Sequence, residues 1–121
     1  MSTFIAIILA LTMKSDLREH AKLYQLGGHL GVEEQITATF TPRSHSLYPI
    51  KVEVKGDGHG DIDCYVLRHA IKGSAWIVVV KDESNMDQCS IIYSVNDDQP
   101  LRLWVVNHGV HPTTFTATVD Q

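Results

Sequence analysis

The sequence lacks the features that define several large classes of protein. Its 121 residues contain two cysteines, Cys64 and Cys89, and no Cys-x-x-Cys pair, so a zinc ribbon or a redox dithiol has no support. The 10 basic residues are outnumbered by 14 acidic ones, and the formal charge of −4 argues against nucleic-acid binding. No Gly-x-Ser-x-Gly elbow and no glycine-rich phosphate loop is present. We therefore predict a protein that is not an enzyme, with a small hydrolase as the minority alternative.

Long apolar runs are also scarce, and the only one extends from Phe4 to Met13. This run is too short to span a bilayer as a helix, so we predict no membrane span. No basic side chain precedes it and no Ala-x-Ala follows it, which fits a cleaved leader poorly. We expect the run to be retained and covered, either as a strand of the fold or by a neighbouring subunit in a homo-oligomer.

What the sequence does contain is typical of a folded β protein. Hydrophobic residues make up 44% and charged residues 20%, as in a compact domain. Residues 15–24 show a short helical pattern, with a strand or loop as the alternative. From residue 35 onward, apolar and polar side chains alternate in segments about ten residues apart, separated by Gly, Pro, Asn and Asp. We predict an all-β, antiparallel sandwich of jelly-roll or Ig-like type with about seven to eight strands.

The alternation also predicts which side chains point inward. Residues 75–80 are apolar throughout, which predicts a strand covered on both faces. Cys64 and Cys89 share inward faces of their strands, so they are expected to lie close together; a disulfide and two buried thiols both remain open. The predicted core consists of Ile36, Phe40, Val52, Val54, Val66, Ile77, Val79, Ile91, Leu103, Val105 and Phe115.

Three segments, VEVKGDGHGDIDCYV, DESNMDQCSIIYSV and PLRLWVVNHGVHPTTFTATV, occur in this order and together resemble the bacterial pre-peptidase C-terminal (PPC) domain. The resemblance implies a PPC-like sandwich over residues 34–121, preceded by residues 1–33 as an apolar segment with a short helix or strand. It also implies a non-catalytic accessory module that is secreted or periplasmic. The matching residues are Gly56, Asp57, Asp61, Asp63, Tyr65, Val66, Asp87, Asn107, Gly109 and Phe115.

An acidic cluster follows the predicted strand at residues 50–55. Asp57, Asp61 and Asp63 lie on or beside a glycine-rich turn, and several carboxylates on a flexible loop suit Ca²⁺, which some members of the resembled family bind. The alternative is that these acids accept backbone hydrogen bonds and stabilise the turn. Calcium is the only cofactor that the sequence brings into consideration.

A binding surface is predicted on the outer side of one strand. Arg102 and Trp104 share a strand face, and Trp76, Tyr65 and Tyr93 would extend it if they were exposed together. Such a surface would bind a protein or a carbohydrate; the alternative is that these aromatic rings fill the core. His108 and His111 lie three residues apart in a loop, and we interpret them as exposed loop residues rather than metal ligands.

Overall fold

The computed structural model describes residues 12–15, 22–43, 48–95, 97 and 99–121, and it confirms the antiparallel β-sandwich. Within these residues there is no helix, and hence none that could cross a membrane. The described strands are β1 (Thr12–Ser15), β2 (Lys22–Leu30), β3 (Gln35–Phe40), β4 (Ile50–Lys55), β5 (Ile62–His69), β6 (Trp76–Asp82), β7 (Gln88–Tyr93), β8 (Leu101–Asn107) and β9 (Thr113–Asp120).

Two sheets form the sandwich. The five-stranded sheet has the order β1-β2-β9-β4-β7, and the four-stranded sheet has the order β3-β8-β5-β6. Their inner faces carry the apolar half of each alternating strand, as period-two alternation requires. The predicted core positions found buried are Ile36, Phe40, Val52, Val54, Val66, Ile91, Leu103, Val105 and Phe115.

Strand β6 differs from its prediction. Ile77 is 46% exposed and Val78 is 45% exposed, so Ile77 is not a core residue and the strand is not covered on both faces. Strand β6 is the edge strand of its sheet, and Ile77 lies near the end of the strand, opposite Arg68. The register between β5 and β6 also shifts between Val66 and Leu67. This bulge leaves Val79 without an opposite residue and lets both Val79 and Val80 pack against the core.

The N-terminal part of the described chain belongs to the sandwich. Of the segment with a helical pattern, residues 15–24, the ends lie in strands β1 and β2, as its strand alternative predicted, and residues 16–21 lie outside the described residues. Strand β2 pairs with β9 from Leu23 opposite Asp120 to Leu30 opposite Thr113. Strand β1 then pairs with β2 at the edge of the same sheet. Of the apolar run, Thr12 and Met13 fall in β1, while residues 4–11 lie outside the described residues. The oligomer hypothesis for this run stays a prediction.

A disulfide joins the two sheets. Cys64 on β5 is bonded to Cys89 on β7, with Cα atoms 6.1 Å apart. Both cysteines are buried, at 0% and 4% exposure, as their inward positions predicted. The bond therefore fastens the four-stranded sheet to the β7 edge of the five-stranded sheet.

Candidate functional site

Four connections meet at one end of the sandwich, which we call the loop end. They are β2–β3, β4–β5, β6–β7 and β8–β9, and the antiparallel registers bring them together because Leu30 lies opposite Thr113 and Ile62 opposite Asn107. Asp57, Asp61 and Asp63 all belong to this end. The acidic cluster seen in the sequence therefore lies where several loops converge.

Asn107 organises the loop end from the inside. It is fully buried, and its side-chain oxygen accepts the backbone N–H groups of Asp61 at 3.1 Å and Gly109 at 2.9 Å. Its Nδ2 donates to the carbonyl groups of His111 at 2.9 Å, Leu30 at 3.1 Å and Gly31 at 3.3 Å. One carboxamide thus ties three of the four connections together and satisfies backbone groups of five residues.

Asp57 acts as a turn residue. Its carboxylate accepts the backbone N–H groups of Thr114 and His59, both at 3.1 Å, and lies 2.9 Å from Nδ1 of His59. These hydrogen bonds, that of Thr114 first, lower the pKa of Asp57 from 3.8 to about 2. The carboxylate is therefore occupied by protein donors, as the turn interpretation expects.

Asp87 is a second acidic residue that holds the loop end together. The sequence analysis named it only among the residues that match the PPC domain. Its Oδ2 accepts the N–H of Gly58 at 2.7 Å and lies 2.7 Å from the hydroxyl of Thr113. A Cβ atom at Gly56 would overlap the Asp87 carboxylate, so the glycine is required by close approach rather than by its φ angle. The only local signal of this arrangement is the glycine-rich turn itself, because Asp87 reaches it from another connection.

Asp61 and Asp63 have a different environment. Asp63 is 8% exposed, and one oxygen each of Asp61, Asp63 and Asp87 is buried without a hydrogen-bond partner among the described residues. Burial first, and then the charge of Asp61, raise the pKa of Asp63. The Nε2 of His108 lies 3.6 Å from Oδ2 of Asp63.

The three acids predicted to hold calcium differ in their surroundings. Unpaired carboxylate oxygens suit a hard cation. However, the described residues contain no group of three acidic, histidine or cysteine side chains placed to hold a metal ion, and Asp57 is engaged elsewhere. The calcium hypothesis stays a prediction.

The outer face of the four-stranded sheet carries an aromatic cluster. Tyr65 and Trp104 lie opposite each other on β5 and β8 with ring centroids 4.5 Å apart, and Arg102 lies next to Trp104 on this face. The guanidinium of Arg102 sits 4.1 Å from the ring centroid of Trp76, whose ring is also 3.9 Å from that of His69. We call this set the aromatic face: Tyr65, His69, Trp76, Arg102 and Trp104.

Polar partners fix these rings in place. Trp104 Nε1 donates to Gln35 at 2.6 Å, and the hydroxyl of Tyr65 donates to Glu83 at 2.8 Å. Burial first, and then this bond to Glu83, raise the pKa of Tyr65. Arg102 and Trp104 thus lie together where the alternation placed them. Tyr65 is only 8% exposed and forms a small buried cluster with Leu67 and Val106, against which Trp76 and Trp104 pack. Tyr93 packs against the core. His69 was missed because its contact with Trp76 depends on the pairing of β5 with β6.

A cleft of about 500 Å³ opens beside the β6–β7 connection. Glu53 and Asp82 are the carboxylates in its lining, which includes no histidine among the described residues. Asp82 there accepts the N–H groups of Ser84 and Ser90 at 3.2 Å and 2.9 Å. Of these two carboxylates, that of Asp82 is therefore occupied by protein donors.

No protein-family model matches the chain, and no curated protein does either. Solved structures do resemble it in fold. The periplasmic inhibitor of g-type lysozyme PliG from Aeromonas hydrophila is 16% identical, with a TM-score of 0.55, covering 99% of this chain and 97% of that one. The pre-peptidase C-terminal domain of collagenase from Bacillus anthracis is 14% identical, with a TM-score of 0.53, covering 98% and 94%.

A third structure, PirA, is 14% identical with a TM-score of 0.55 and covers 80% of this chain and 93% of its own. At such identities these similarities show a shared sandwich fold alone. The PPC resemblance read from the sequence is therefore supported as a likeness of fold.

Proposed function

We propose that this protein is a non-catalytic, protein-binding module that contacts its partner through the aromatic face. The observation that carries the proposal is the joint placement of Trp76, Arg102, Trp104 and Tyr65 on one outer sheet face. Tryptophan, tyrosine and arginine are the residues most enriched at the energetic centres of protein interfaces. Held by hydrogen bonds and stacking, these side chains would lose little conformational freedom on binding.

The structural neighbours support a binding role. PliG inhibits a lysozyme and so binds a protein, and the collagenase domain is one part of an enzyme. The periplasmic location of PliG and the Cys64–Cys89 disulfide favour a secreted or periplasmic protein, since disulfides persist in oxidising compartments.

A protein partner is favoured over a carbohydrate by the state of the rings. Sugars stack on open aromatic faces, whereas the ring of Trp76 is already contacted by Arg102 and His69 and that of Trp104 by Tyr65. A calcium-stabilised sugar-binding domain and a small hydrolase remain the alternatives, and no observation specifically favours either.

The proposal is tested by comparing captured proteins between matched variants. The wild type, Trp76→Ala/Arg102→Ala and the control Lys51→Ala are immobilised and exposed to a cell-envelope extract and to a purified g-type lysozyme. Lys51 lies exposed on β4 of the other sheet, so its substitution removes a positive charge away from the aromatic face. We expect a protein retained by the wild type and by Lys51→Ala but lost with the double variant. Equal retention by all three, or none by any, would overturn the proposal.

A further inference from the structure

Charge is distributed unevenly along the sandwich. Of the 14 acidic residues in the chain, eight lie in or beside the four connections of the loop end, against two of the 10 basic residues. The eight are Glu33, Glu34, Asp57, Asp61, Asp63, Asp82, Glu83 and Asp87, and the two are Lys55 and Lys81. The loop end therefore carries a formal charge of −6, and the rest of the chain +2.

Some of these acidic residues lie directly beside the aromatic face. Tyr65, within that face, donates to Glu83, and Asp63 precedes Tyr65 on the same outer side of β5. The Nδ1 of His108 lies 3.5 Å from Glu33, while its other ring nitrogen approaches Asp63. We call Glu33, Asp61, Asp63 and Glu83 the acidic border.

The border is neutralised only in part, because Glu83 pairs with Lys81 at 2.7 Å whereas Asp63 is surrounded by other acids. Asp63 is 8% exposed, and its Oδ1 is buried without a hydrogen-bond donor among the described residues. The charges packed around it are Asp61, Asp82 and Glu83, with His108 as the opposing group. Because a partly buried charge is poorly screened, the field of these carboxylates acts at the adjacent surface.

Two exposed apolar side chains stand beside the border. Val32 is 44% exposed and Val110 is 82% exposed, and both occupy connections that Asn107 holds together. Protein interfaces commonly have an apolar centre and a polar rim, and these two valines beside the carboxylates of the border have that composition.

We propose that the partner bound by the aromatic face is a cationic protein, whose lysine or arginine side chains lie against the acidic border. This inference rests on the proposed function and names the chemistry of its partner. A guanidinium or ammonium group of the partner would reach the carboxylates of Glu33 and Glu83, whose side chains are 52% and 42% exposed. The charge of the border would also speed association at low ionic strength.

Tryptophan fluorescence offers a direct readout, because the two tryptophans of the chain, Trp76 and Trp104, both belong to the aromatic face. An oligoarginine peptide is titrated into the full-length protein, with an oligoglutamate peptide of equal length as the control. We expect saturable quenching by oligoarginine only. The apparent affinity should fall as salt is raised from about 0.01 M to about 0.15 M, which shortens the Debye length from about 30 Å to about 8 Å.

Matched variants locate the effect. Glu33→Gln/Glu83→Gln removes two charges from the border while keeping a hydrogen-bond acceptor for Tyr65, and we expect Kd to rise about fivefold to tenfold. Glu53→Gln/Asp120→Gln removes two charges from the other sheet and should leave Kd unchanged. The inference would be overturned if neither peptide quenched the fluorescence, if both peptides did, or if the two variants lost affinity for oligoarginine equally. The proposed function would stand if envelope capture still depended on Trp76 and Arg102.

Discussion

Asn107 is the residue whose replacement should test the architecture of the loop end most sharply. Its buried carboxamide joins the N–H groups of Asp61 and Gly109 to the carbonyl groups of Leu30, Gly31 and His111. The two hydrogens of Nδ2 are shared among three carbonyls, so about four hydrogen bonds are lost in Asn107→Ala. At roughly 1 kcal/mol each, with buried backbone groups left unpaired, we expect a loss of about 3–5 kcal/mol in the free energy of unfolding.

A second substitution separates the hydrogen bonds from the volume of the side chain. Asn107→Asp keeps the shape and the acceptor oxygen but turns a carboxylate oxygen toward three carbonyl groups. We expect this variant to be at least as unstable as Asn107→Ala at pH 7. It should recover partly in acid, where the protonated carboxyl group can donate again.

Urea unfolding followed by tryptophan fluorescence measures these losses. His111→Ala is the control, because His111 joins the network through its backbone carbonyl and its side chain is exposed. Its stability should stay within about 0.5 kcal/mol of the wild type. A loss below about 1 kcal/mol for Asn107→Ala, or an aspartate variant as stable as the wild type at pH 7, would refute this account.

Four further predictions follow from the described contacts. Burial raises the pKa of Asp63, so its ionised form destabilises the folded state at pH values above that pKa. Asp63→Asn should therefore raise the free energy of unfolding at pH 7, and the gain should shrink as the pH falls toward 3.8. Urea titrations of the wild type and the variant at each pH measure this gain. Alkylation without reductant should label neither Cys64 nor Cys89, and Cys64→Ser/Cys89→Ser should cost about 3.5 kcal/mol for a loop with a sequence separation of 25. Since Asp57 is occupied by protein donors, Ca²⁺ and chelator should give the same melting temperature, and a clear rise with Ca²⁺ would contradict the turn interpretation. Light scattering should give a larger mass for the full chain than for a chain starting at Ser15, and equal monomeric masses would exclude an oligomer formed through the run from Phe4 to Met13.

The alternation along β4 predicted its burial well, because a strand with one buried face repeats with period two and Ile50, Val52 and Val54 record that repeat directly. The same reasoning failed at Ile77, because the edge position of β6 depends on the order of the strands in the sheet and leaves no mark in the sequence of β6. Regular strands are thus readable locally, whereas departures from regularity depend on a neighbour.

The candidate site shows the same division. The alternation placed Arg102 and Trp104 on one face, but the stacking of Arg102 on Trp76 needs the order β8-β5-β6, which local sequence does not specify. The bonds of Asn107 to Leu30 and Gly31 span 77 and 76 residues, so no local pattern could have indicated its role. The local sequence indicated the glycine-rich turn and its acidic residues. It could not indicate which of these carboxylates accept hydrogen bonds from the protein itself.

That distinction between satisfied and unsatisfied acids bears on function. Asp57 accepts several protein donors and has a lowered pKa, so its charge serves the folded state. Asp63 is more deeply buried, faces other acids and has a raised pKa, so its charge works against the folded state. Neutral asparagine would fit the same position at lower cost, and places where a chain departs from the most stable choice are typically functional. Asp63 lies on the same outer side of β5 as Tyr65 of the aromatic face, so the field of its charge acts at the surface where a bound partner would lie, which is the arrangement expected if that partner is cationic.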